Sequence, residues 1–408
     1  MVFDICIIGG GAAGLMSAII AKEQNKNLNI AIIERLDRVG KKVALTGNGR
    51  CNITNKDISV KHYHGKDPFF AEKIFSLFSL EDTERFFERI GIPFIYEGNK
   101  GFPASLQAAS VTDALRFKCD ELGINTFCGV KITDVKKKDS LFTLVSAEQN
   151  FKCRAVLAAG GMLSGGEKLG CDGALYGVMK RQGFKVNPPS PSIVQLRTET
   201  DFVKQLKGIK VDANVSLFSD KKLVREDFGE VLFCDYGLSG PPVLQVSGFA
   251  REGDVISLDL MPKYSFDTLY NKLLSRKENL FARNNDEFLS GFFNKRLGQV
   301  VLKRAGIALS DSVKSLSDEK LEKICNVAKN FECRVLGDRG FINSQATRGG
   351  ILTDEFYPET LMSKKTAGLF AAGEILDIVG DCGGFNLQWA WSSAFVAARG
   401  AVSFLERF

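Results

Sequence analysis

The chain has 408 residues, with 45% hydrophobic and 25% charged residues, the proportions of an ordinary soluble globular protein with two or three domains. Ten cysteines without a C-x-x-C pair and only two histidines argue against a structural zinc site, so we expect no metal and a reducing, cytoplasmic location. The net charge of +6 permits an anionic partner without requiring one.

Two uncharged runs, Ile5 to Ala21 and Cys382 to Ala398, have the composition of membrane spans. Both are shorter than the roughly twenty residues that cross a bilayer, and both contain clustered glycines. The first four residues also lack the positive charge of a signal peptide. We therefore interpret both runs as buried strand–loop–helix segments and expect no membrane partner.

The N-terminal segment carries a dinucleotide-binding fingerprint. An apolar run, Val2 to Ile8, enters the sequence Gly-Gly-Gly-Ala-Ala-Gly, and Glu34 follows twenty residues after its last glycine. Gly9 permits the tight turn, Gly11 lets the backbone approach a pyrophosphate, and Gly14 lets helix and strand pack closely. The helix start then offers free N–H groups to phosphates, and Glu34 can accept hydrogen bonds from a ribose diol.

The next part of the chain alternates helices and strands. The patterns predict a helix over 72–89, a second helix over 110–122 and a strand over 124–127. Short alternating runs between Val130 and Ala158, the first at 130–132, predict a β-meander crossover that returns to a parallel sheet. Gly160 and Gly161 end its last strand, and ligands of open α/β sheets lie beyond such carboxyl ends.

The second half of the chain predicts an insertion. After a helix over 174–182, three prolines at 188, 189 and 191 mark a boundary. Strand patterns run from Ile193 to about Leu260, helical spacing runs from Ser265 to Asn330, and strand character resumes at 333–335. The predicted division is a first domain of residues 1–190 and 340–408, a β-domain of 191–262 and 331–339, and a helical subdomain of 263–330.

Three segments resemble the HI0933-like flavoprotein family, and together they span nearly the whole chain. They are Gly-Lys-Lys at 40–42 with the run 46–55, Tyr-Gly-Leu-Ser-Gly-Pro at 236–241, and the C-terminal run 373–391. Asp235 is a departure, because many relatives carry a histidine before the second segment. The resemblance implies an α/β fold, namely a glutathione-reductase-type FAD-binding Rossmann domain with an inserted β-domain carrying a helical subdomain, and tightly bound FAD.

The resemblance also implies which residues contact FAD. The Gly-rich loop brings backbone and positive charge to the pyrophosphate, Glu374 contacts the ribityl or diphosphate region, and the start of the last helix faces the N1–C2=O edge of the flavin. The cofactor-binding residues expected on this basis are Gly9, Gly11, Ala12, Ala13, Gly14, Glu34, Arg35, Lys41, Lys42, Thr46, Gly47, Gly49, Arg50, Cys51, Asn52, Val130, Gly160, Gly161, Asp172, Gly373, Glu374, Gly383, Gly384, Phe385, Asn386 and Leu387.

Cys51 and the two histidines each have two interpretations. A thiol beside Arg50 could have a lowered pKa and deliver a proton as the catalytic acid, whereas a small buried side chain under the flavin would only pack. Packing is the commoner fate of a free cysteine. His62 and His64 lie in a polar loop, where exposed histidines are commoner than catalytic ones.

The predicted helical subdomain concentrates the positive charge of the chain. Thirteen Lys and Arg and eight Asp and Glu lie between positions 263 and 330, a net +5. Charged helix faces are usually only solvated, but an RNA backbone contact needs such an excess, and three basic pairs could meet phosphates. These pairs are Arg276 with Lys277, Lys295 with Arg296, and Lys303 with Arg304.

The family resemblance implies reduction of a conjugated C=C bond by hydride transfer from flavin N5, with NAD(P)H as electron donor. The chain has neither a second dinucleotide fingerprint nor a redox-active cysteine pair, which argues against the disulfide reductases. We expect the acceptor to be a uridine of large-subunit ribosomal RNA, which becomes dihydrouridine. The alternatives are a small-molecule enone reductase of the dehydro-bile-acid type and a non-catalytic flavin-binding assembly factor.

Overall fold

A computed structural model describes residues 2–280 and 282–407 of the protein. The helices are α1 Ala12–Gln24, α2 Phe69–Leu77, α3 Leu80–Arg89, α4 Ala108–Glu121, α5 Ala174–Arg181, α6 Pro241–Ser247, α7 Phe266–Asn279, α8 Lys295–Arg304, α9 Asp318–Lys329 and α10 Phe385–Glu406. The strands are β1 Val2–Ile8, β2 Ile30–Ile33, β3 Thr54–Asn55, β4 Tyr63–His64, β5 Phe94–Glu97, β6 Lys100–Pro103, β7 Asn125–Phe127, β8 Asp134–Lys138, β9 Leu141–Val145, β10 Phe151–Ala158, β11 Val186–Ser192, β12 Leu196–Thr198, β13 Lys210–Ser219, β14 Lys222–Phe233, β15 Gly237–Ser239, β16 Val255–Asp259, β17 Phe331–Asp338, β18 Ala346–Ile351, β19 Leu369–Ala371 and β20 Val379–Gly380.

Contacts divide the chain into two compact units, Met1–Pro191 with Phe341–Phe408, and Ser192–Gly340. The first unit is built on a sheet of order β7-β2-β1-β10-β9-β8. β1 pairs in parallel with β2 and β10, as the apolar runs of a buried α/β sheet predict. The carboxyl ends of these strands therefore meet at one edge of the sheet.

Strand β10 has two different neighbours on one side. Its first half, from Phe151 to Cys153, pairs antiparallel with β9, and its second half, from Val156 to Ala158, pairs in parallel with β19. The predicted meander thus joins the sheet as β8 and β9, and the chain returns through β10. β19 brings the C-terminal segment to the same edge as the end of β1.

Helices α1 and α10 pack together in the core of this unit. The first part of α1 consists of small and apolar residues, and all residues from Ala13 to Ala21 are buried. α10 buries Trp389 and Trp391, whose indole N–H groups donate to the carbonyls of Gly373 and Ile53 at 3.0 and 3.1 Å. Those bonds satisfy the only polar atom of each indole and tie α10 to segments from both ends of the chain.

Two element predictions were wrong in detail. The single helix expected over 72–89 is two helices, because Ser79 caps the N-terminus of α3. Its Oγ accepts from the Asp82 N–H, and the Asp82 carboxylate accepts from the Ser79 N–H at 2.9 Å. Residues 130–132 form no strand, since the Val130 N–H instead donates to the Glu34 carbonyl. The first strand of the meander begins at Asp134.

The second unit is a closed barrel of order β12-β15-β14-β13-β16-β17 with helices α7, α8 and α9. Leu273 of α7, Val301 of α8 and Leu321 of α9 belong to one hydrophobic core with Val215 and Phe331 of the barrel. The helical subdomain of residues 263–330 stays a prediction, since its helices share that core. Within the part of the chain that the structure describes, no helix has both the length and the apolar character needed to cross a membrane.

Candidate functional site

A cleft of about 1000 Å³ opens in the first unit at the carboxyl edge of the parallel sheet. Segments from both ends of the chain form its walls, because β1, β10 and β19 all end there. The residues that line the cleft are Gly9, Gly10, Gly11, Ala12, Ala13, Glu34, Leu36, Arg38, Gly40, Lys41, Lys42, Val43, Thr46, Ala159, Gly160, Gly161, Leu169, Gly170, Cys171, Gln345, Ala372, Gly373, Glu374, Ile378, Asn386, Leu387, Trp389 and Ala390.

The glycines of the N-terminal fingerprint have the three expected environments. Gly9 has φ +105°, and a Cβ there would lie 2.5 Å from the Ala159 carbonyl oxygen. A Cβ on Gly14 would lie 1.9 Å from the Gly9 oxygen, so only glycine lets α1 pack this closely on β1. A Cβ on Gly11 would meet no atom within 4 Å. Gly11 thus leaves open space in front of the first turn of α1, whose N–H groups have no intrahelical acceptor.

Glu34 is held rigidly at the end of β2. It is buried, its Oε2 accepts from the Gly10 N–H and its Oε1 accepts from the Leu36 N–H, both at 2.8 Å. Each carboxylate oxygen has a second lone pair, so both can still accept a hydrogen bond from a ligand hydroxyl. This places a fixed carboxylate in the wall of the cleft, as the fingerprint predicted.

An ion pair joins the two ends of the chain across the cleft. Lys42 Nζ lies 2.6 Å from Glu374 Oε2 and 2.5 Å from Ser164 Oγ. Glu374 Oε1 also accepts from Ser164 Oγ at 2.6 Å and from the Thr347 N–H at 2.8 Å. Removal from water is the largest single influence on Lys42 and acts to lower its pKa. The charge of Glu374, Cys171 and the hydrogen bond to Glu374 together outweigh it, so the pKa is raised above 10.5. Lys42 therefore remains a cation at neutral pH.

The start of α10 is packed too closely for side chains. Gly383 and Gly384 have φ +125° and +98°, and a Cβ on Gly384 would lie 2.4 Å from the Thr54 carbonyl oxygen. Asn55 Nδ2 donates to the Gly383 carbonyl at 2.8 Å. Asn386, in the first turn of α10, lines the cleft. The cleft thus has a second helix N-terminus, which favours negative charge.

The Gly-rich loop contributes less to the cleft than expected. Thr46 lines it, but Arg50 pairs with Glu97 and lies over the Phe102 ring at 4.4 Å. Cys51 is fully buried with φ +57°, and burial raises the pKa of its thiol to about 12. The lowered pKa suggested by Arg50 was therefore wrong, and the environment of Cys51 is that of a packed side chain.

Many expected cofactor residues line the cleft, namely Gly9, Gly11, Ala12, Ala13, Glu34, Lys41, Lys42, Thr46, Gly160, Gly161, Gly373, Glu374, Asn386 and Leu387. The others lie outside that lining, namely Gly14, Arg35, Gly47, Gly49, Arg50, Cys51, Asn52, Val130, Asp172, Gly383, Gly384 and Phe385. Asp172 instead pairs with Arg35 and with Lys131, the latter at 2.7 Å. Their roles toward a cofactor stay predictions.

Sequence reasoning missed residues that only the tertiary structure brings to the cleft. Ser164 and Thr347 fix Glu374, and Gln345 lines the wall, yet none of the three lies in a recognisable motif. The two histidines were also misjudged. Their side chains are only about a fifth exposed, and both bind the buried carboxylate of Asp381. The proximity of β4 to β20, which creates this contact, has no signal in the sequence.

The residues of the cleft fit FAD. The open space at Gly11 and the N-terminus of α1 suit a diphosphate, and the fixed Glu34 carboxylate suits an adenosine ribose. The N-terminus of α10 suits a flavin edge that gains negative charge on reduction.

Comparisons with known proteins agree with this geometry. The family described as HI0933-like protein Rossmann domain matches residues 3–400. A 3-dehydro-bile acid delta(4,6)-reductase of Clostridium scindens is 33% identical over 405 residues, 98% of each chain. A ribosomal RNA dihydrouridine synthase of Escherichia coli is 27% identical over 405 residues, again 98% of each chain.

Two solved structures have a similar fold. A 3-ketosteroid delta1-dehydrogenase of Sterolibacterium denitrificans has a TM-score of 0.52 and 10% identity, over 98% of this chain and 99% of that one. A quinol fumarate reductase of E. coli has a TM-score of 0.53 and 16% identity, over 100% and 71%. At such identities the similarity concerns the fold alone. The chain has a mixed α/β, Rossmann-type FAD-binding fold, which confirms that part of the expectation.

Proposed function

Because this chain belongs to the HI0933-like protein family and is an FAD-dependent oxidoreductase, we propose that it reduces a conjugated C=C bond with electrons from NAD(P)H. The names of two relatives support this reaction, one a delta(4,6)-reductase and the other a dihydrouridine synthase. Both acceptors are conjugated: in uridine, the C5=C6 bond is conjugated to C4=O. The reaction adds hydride to one carbon and a proton to the next.

The single observation that carries the cofactor assignment is a cleft that is open at Gly11, where α1 begins, and that is also lined by Asn386 of the first turn of α10. When bound, FAD supplies the hydride through its N5 atom. The residues of the chain would bind and orient it: the first turn of α1 would donate to the diphosphate and Glu34 would accept from the ribose. Lys42 and Glu374, each fixed by the other, would hold the middle of the cofactor, and the N-terminus of α10 would stabilise negative charge on the flavin.

We favour a uridine of large-subunit ribosomal RNA as the acceptor. The support is the excess of positive charge between residues 263 and 330, together with the dihydrouridine synthases at 27% and 26% identity. Lys295, Arg296 and Lys303 are exposed, as a phosphate contact requires. Arg276 and Arg304 are poorer candidates, because their guanidinium groups donate to carbonyls of the same unit.

A small-molecule enone reductase is the second candidate. Its support is the 33% identity to the bile acid reductase over nearly the full length of both chains. The two candidates differ in the size and charge of the acceptor, not in the chemistry of the cleft.

The deciding experiment is mass mapping of uridines in ribosomal RNA from cells with and without the gene. The RNA proposal expects one position to be dihydrouridine, heavier than uridine by two hydrogens, in cells with the gene and unmodified uridine in the deletion strain. In parallel, the purified protein is given NAD(P)H with a ribosomal RNA fragment or a steroidal 4-en-3-one. NAD(P)H oxidation that only the enone stimulates, together with identical uridine modification in the two strains, would favour the small-molecule enone reductase. No stimulation by any acceptor would favour a non-catalytic assembly factor.

RNA affinity can be tested separately. Replacing Lys295 and Arg296 with Glu should weaken binding to ribosomal RNA fragments. The slope of the logarithm of the binding constant against the logarithm of the salt concentration should become shallower by roughly 1.4, because each lost phosphate contact on a single strand contributes about 0.7. The matched control reverses two exposed lysines of the other unit, Lys136 and Lys138, with the same change in net charge. Equal losses in both variants would mean a general charge effect and no RNA site on these helices.

A further inference from the structure

The two histidines of the chain converge on one carboxylate. Asp381, whose side chain is 3% exposed, lies with Oδ2 3.0 Å from His62 Nδ1 and with Oδ1 2.7 Å from His64 Nε2. The other ring nitrogen of His62, Nε2, lies 3.0 Å from Asp57 Oδ2. His62 is therefore placed between two carboxylates, one buried and one at the surface.

Hydrogen-bond chemistry fixes the protonation that this geometry requires. An ionised carboxylate only accepts, so each ring nitrogen that faces one must carry a proton. Neutral imidazole has a single N–H, and only the imidazolium can donate to Asp57 and Asp381 together. The hydrogen bond from Lys61, and then that from His62, lowers the pKa of Asp57, so Asp57 is ionised at neutral pH.

Lys61 and Tyr63 also lie next to this cluster. Lys61 reaches Asp57 at 2.9 Å from the surface side. The hydroxyl of Tyr63 donates to the Phe385 carbonyl at 3.0 Å, and burial followed by the Asp381 charge raises its pKa, so it is neutral. Among the described residues, no group of three or more His, Cys, Asp or Glu is placed to hold a metal ion.

This cluster directly supports the start of α10. The His62 ring stacks on Phe385, the first residue of the helix, with ring centroids 4.4 Å apart and an interplanar angle of 23°. β4, which contains His64, pairs with β20, and Asn386 exchanges two 2.8 Å hydrogen bonds with Gly380 of β20. Asn386 also lines the cleft. The histidine segment and the cleft-facing helix turn thus form one connected structure.

The location of Asp381 creates an electrostatic problem for the proposed reaction. A helix N-terminus stabilises negative charge on a bound group because its own field is positive. The negative charge of Asp381, a few residues before that terminus, opposes this positive field where the flavin would gain charge. We propose that His62 is a positioning residue, held as an imidazolium between Asp57 and Asp381, that neutralises Asp381 and keeps the start of α10 electropositive toward the cofactor. The cofactor part of this inference rests on the FAD assignment above.

The protonation state can be measured without any turnover. Because His62 and His64 are the only histidines in the chain, ¹⁵N-histidine labelling of untagged protein gives just two sets of ring signals. We expect one ring with both nitrogens protonated near neutral pH, and we expect Asp57→Asn to return it to a neutral tautomer. Two neutral rings in the unaltered protein would overturn the inference, whether or not the protein is an oxidoreductase.

The electrostatic role is tested with sulfite, an anion that adds to flavin N5 and reports the field at the pyrimidine edge. His62→Phe keeps the stack on Phe385 but removes one positive charge next to Asp381, so sulfite affinity should fall by about twofold to fivefold, the typical range for a charge at a helix end. Adding Asp381→Asn to that variant removes the negative charge and should restore the sulfite affinity. If His62→Phe lowered the affinity only by disturbing the packing, the second substitution would not restore it. Glu72→Gln, an exposed carboxylate change on α2, is the control.

Two results would overturn this role: unchanged sulfite affinity in His62→Phe, or no recovery in the double variant. The titration needs bound FAD but no acceptor, so it remains valid if the proposed C=C reduction fails. If His62→Phe does not fold, Asp381→Asn alone decides. It should leave sulfite affinity equal or higher, and a loss would contradict the inference.

Discussion

Lys42 and Glu374 form an ion pair of 2.6 Å although 331 residues separate them in the chain. Each belongs to a segment that lines the same cleft, and Ser164 and Thr347 hold the glutamate from the other side. The pair closes the cleft between the N-terminal and C-terminal parts of the first unit. Loss of this ion pair should lower both the stability of the fold and the affinity for the cofactor.

Lys42→Met should lower the free energy of unfolding by about 1–2 kcal/mol, less than a fully buried pair because both side chains are a fifth or more exposed. The Lys42 pKa is raised above 10.5, so its contribution is complete below that pH and is lost as pH rises through the folded value. The deficit should therefore be constant between about pH 6 and pH 9. Denaturant titration measures it, with the exposed Lys136→Met as control. A difference in unfolding free energy that varies with pH between these limits would contradict a Lys42 that stays charged in this ion pair.

Gly11→Val should abolish FAD binding while the protein stays folded. The added side chain enters space that no protein atom occupies within 4 Å, so it displaces the ligand and not the core. Acid release followed by chromatography should find FAD, and no FMN, in the unaltered protein, and under about a tenth of that content in the variant. Gly177→Val, on α5, is the control. Normal FAD content in Gly11→Val, or FMN in the unaltered protein, would refute the site.

Cys51→Ala should change catalysis little. The thiol is buried outside the lining of the cleft and its raised pKa keeps it protonated, so we expect a loss of about 1–2 kcal/mol in unfolding free energy from the smaller side chain. Rapid-reaction kinetics of a fully FAD-loaded variant separates flavin reduction from transfer to the acceptor. A fall of about 10²-fold or more in the second step alone would instead identify Cys51 as the general acid.

Asp377→Asn should stabilise the protein at neutral pH. Burial is the largest cause that raises the pKa of this carboxyl, and the Lys66 N–H and the Asn187 amide only partly offset it. Since the folded pKa lies above the unfolded one, the wild-type carboxyl destabilises the fold progressively as pH rises above 3.8. The advantage of the variant should grow from about pH 4 to pH 7 in thermal denaturation. An advantage that shrinks over this range would mean that Asp377 is stabilised as the anion.

The sequence predicted the parts of this site that local geometry dictates. The Gly9–Gly14 turn, the parallel β1–β10 pairing and the glycines before α10 follow from backbone constraints that only certain residues satisfy. The α2–α3 break was missed because a serine cap inside an amphipathic run is a weak signal.

Contacts between distant segments were not predictable in this way. His62 and His64 looked like loop residues, because their partner Asp381 lies more than three hundred positions away and only the pairing of β4 with β20 brings it close. The ion pair of Arg50 with Glu97 likewise has no signal in the sequence. Charge and spacing identify candidates, but tertiary packing decides which partner each one takes.

The divided edge of β10 has a consequence for synthesis of the protein. β9 can pair with β10 as soon as both have left the ribosome, but β19 belongs to the last tenth of the chain. Until it arrives, the nascent sheet lacks the wall that carries Glu374 and α10, although the glycine turn and Glu34 are already present. A ribosome-bound chain should therefore remain colourless until β19 and α10 have left the ribosome, so cofactor acquisition waits for these two late segments of the first unit.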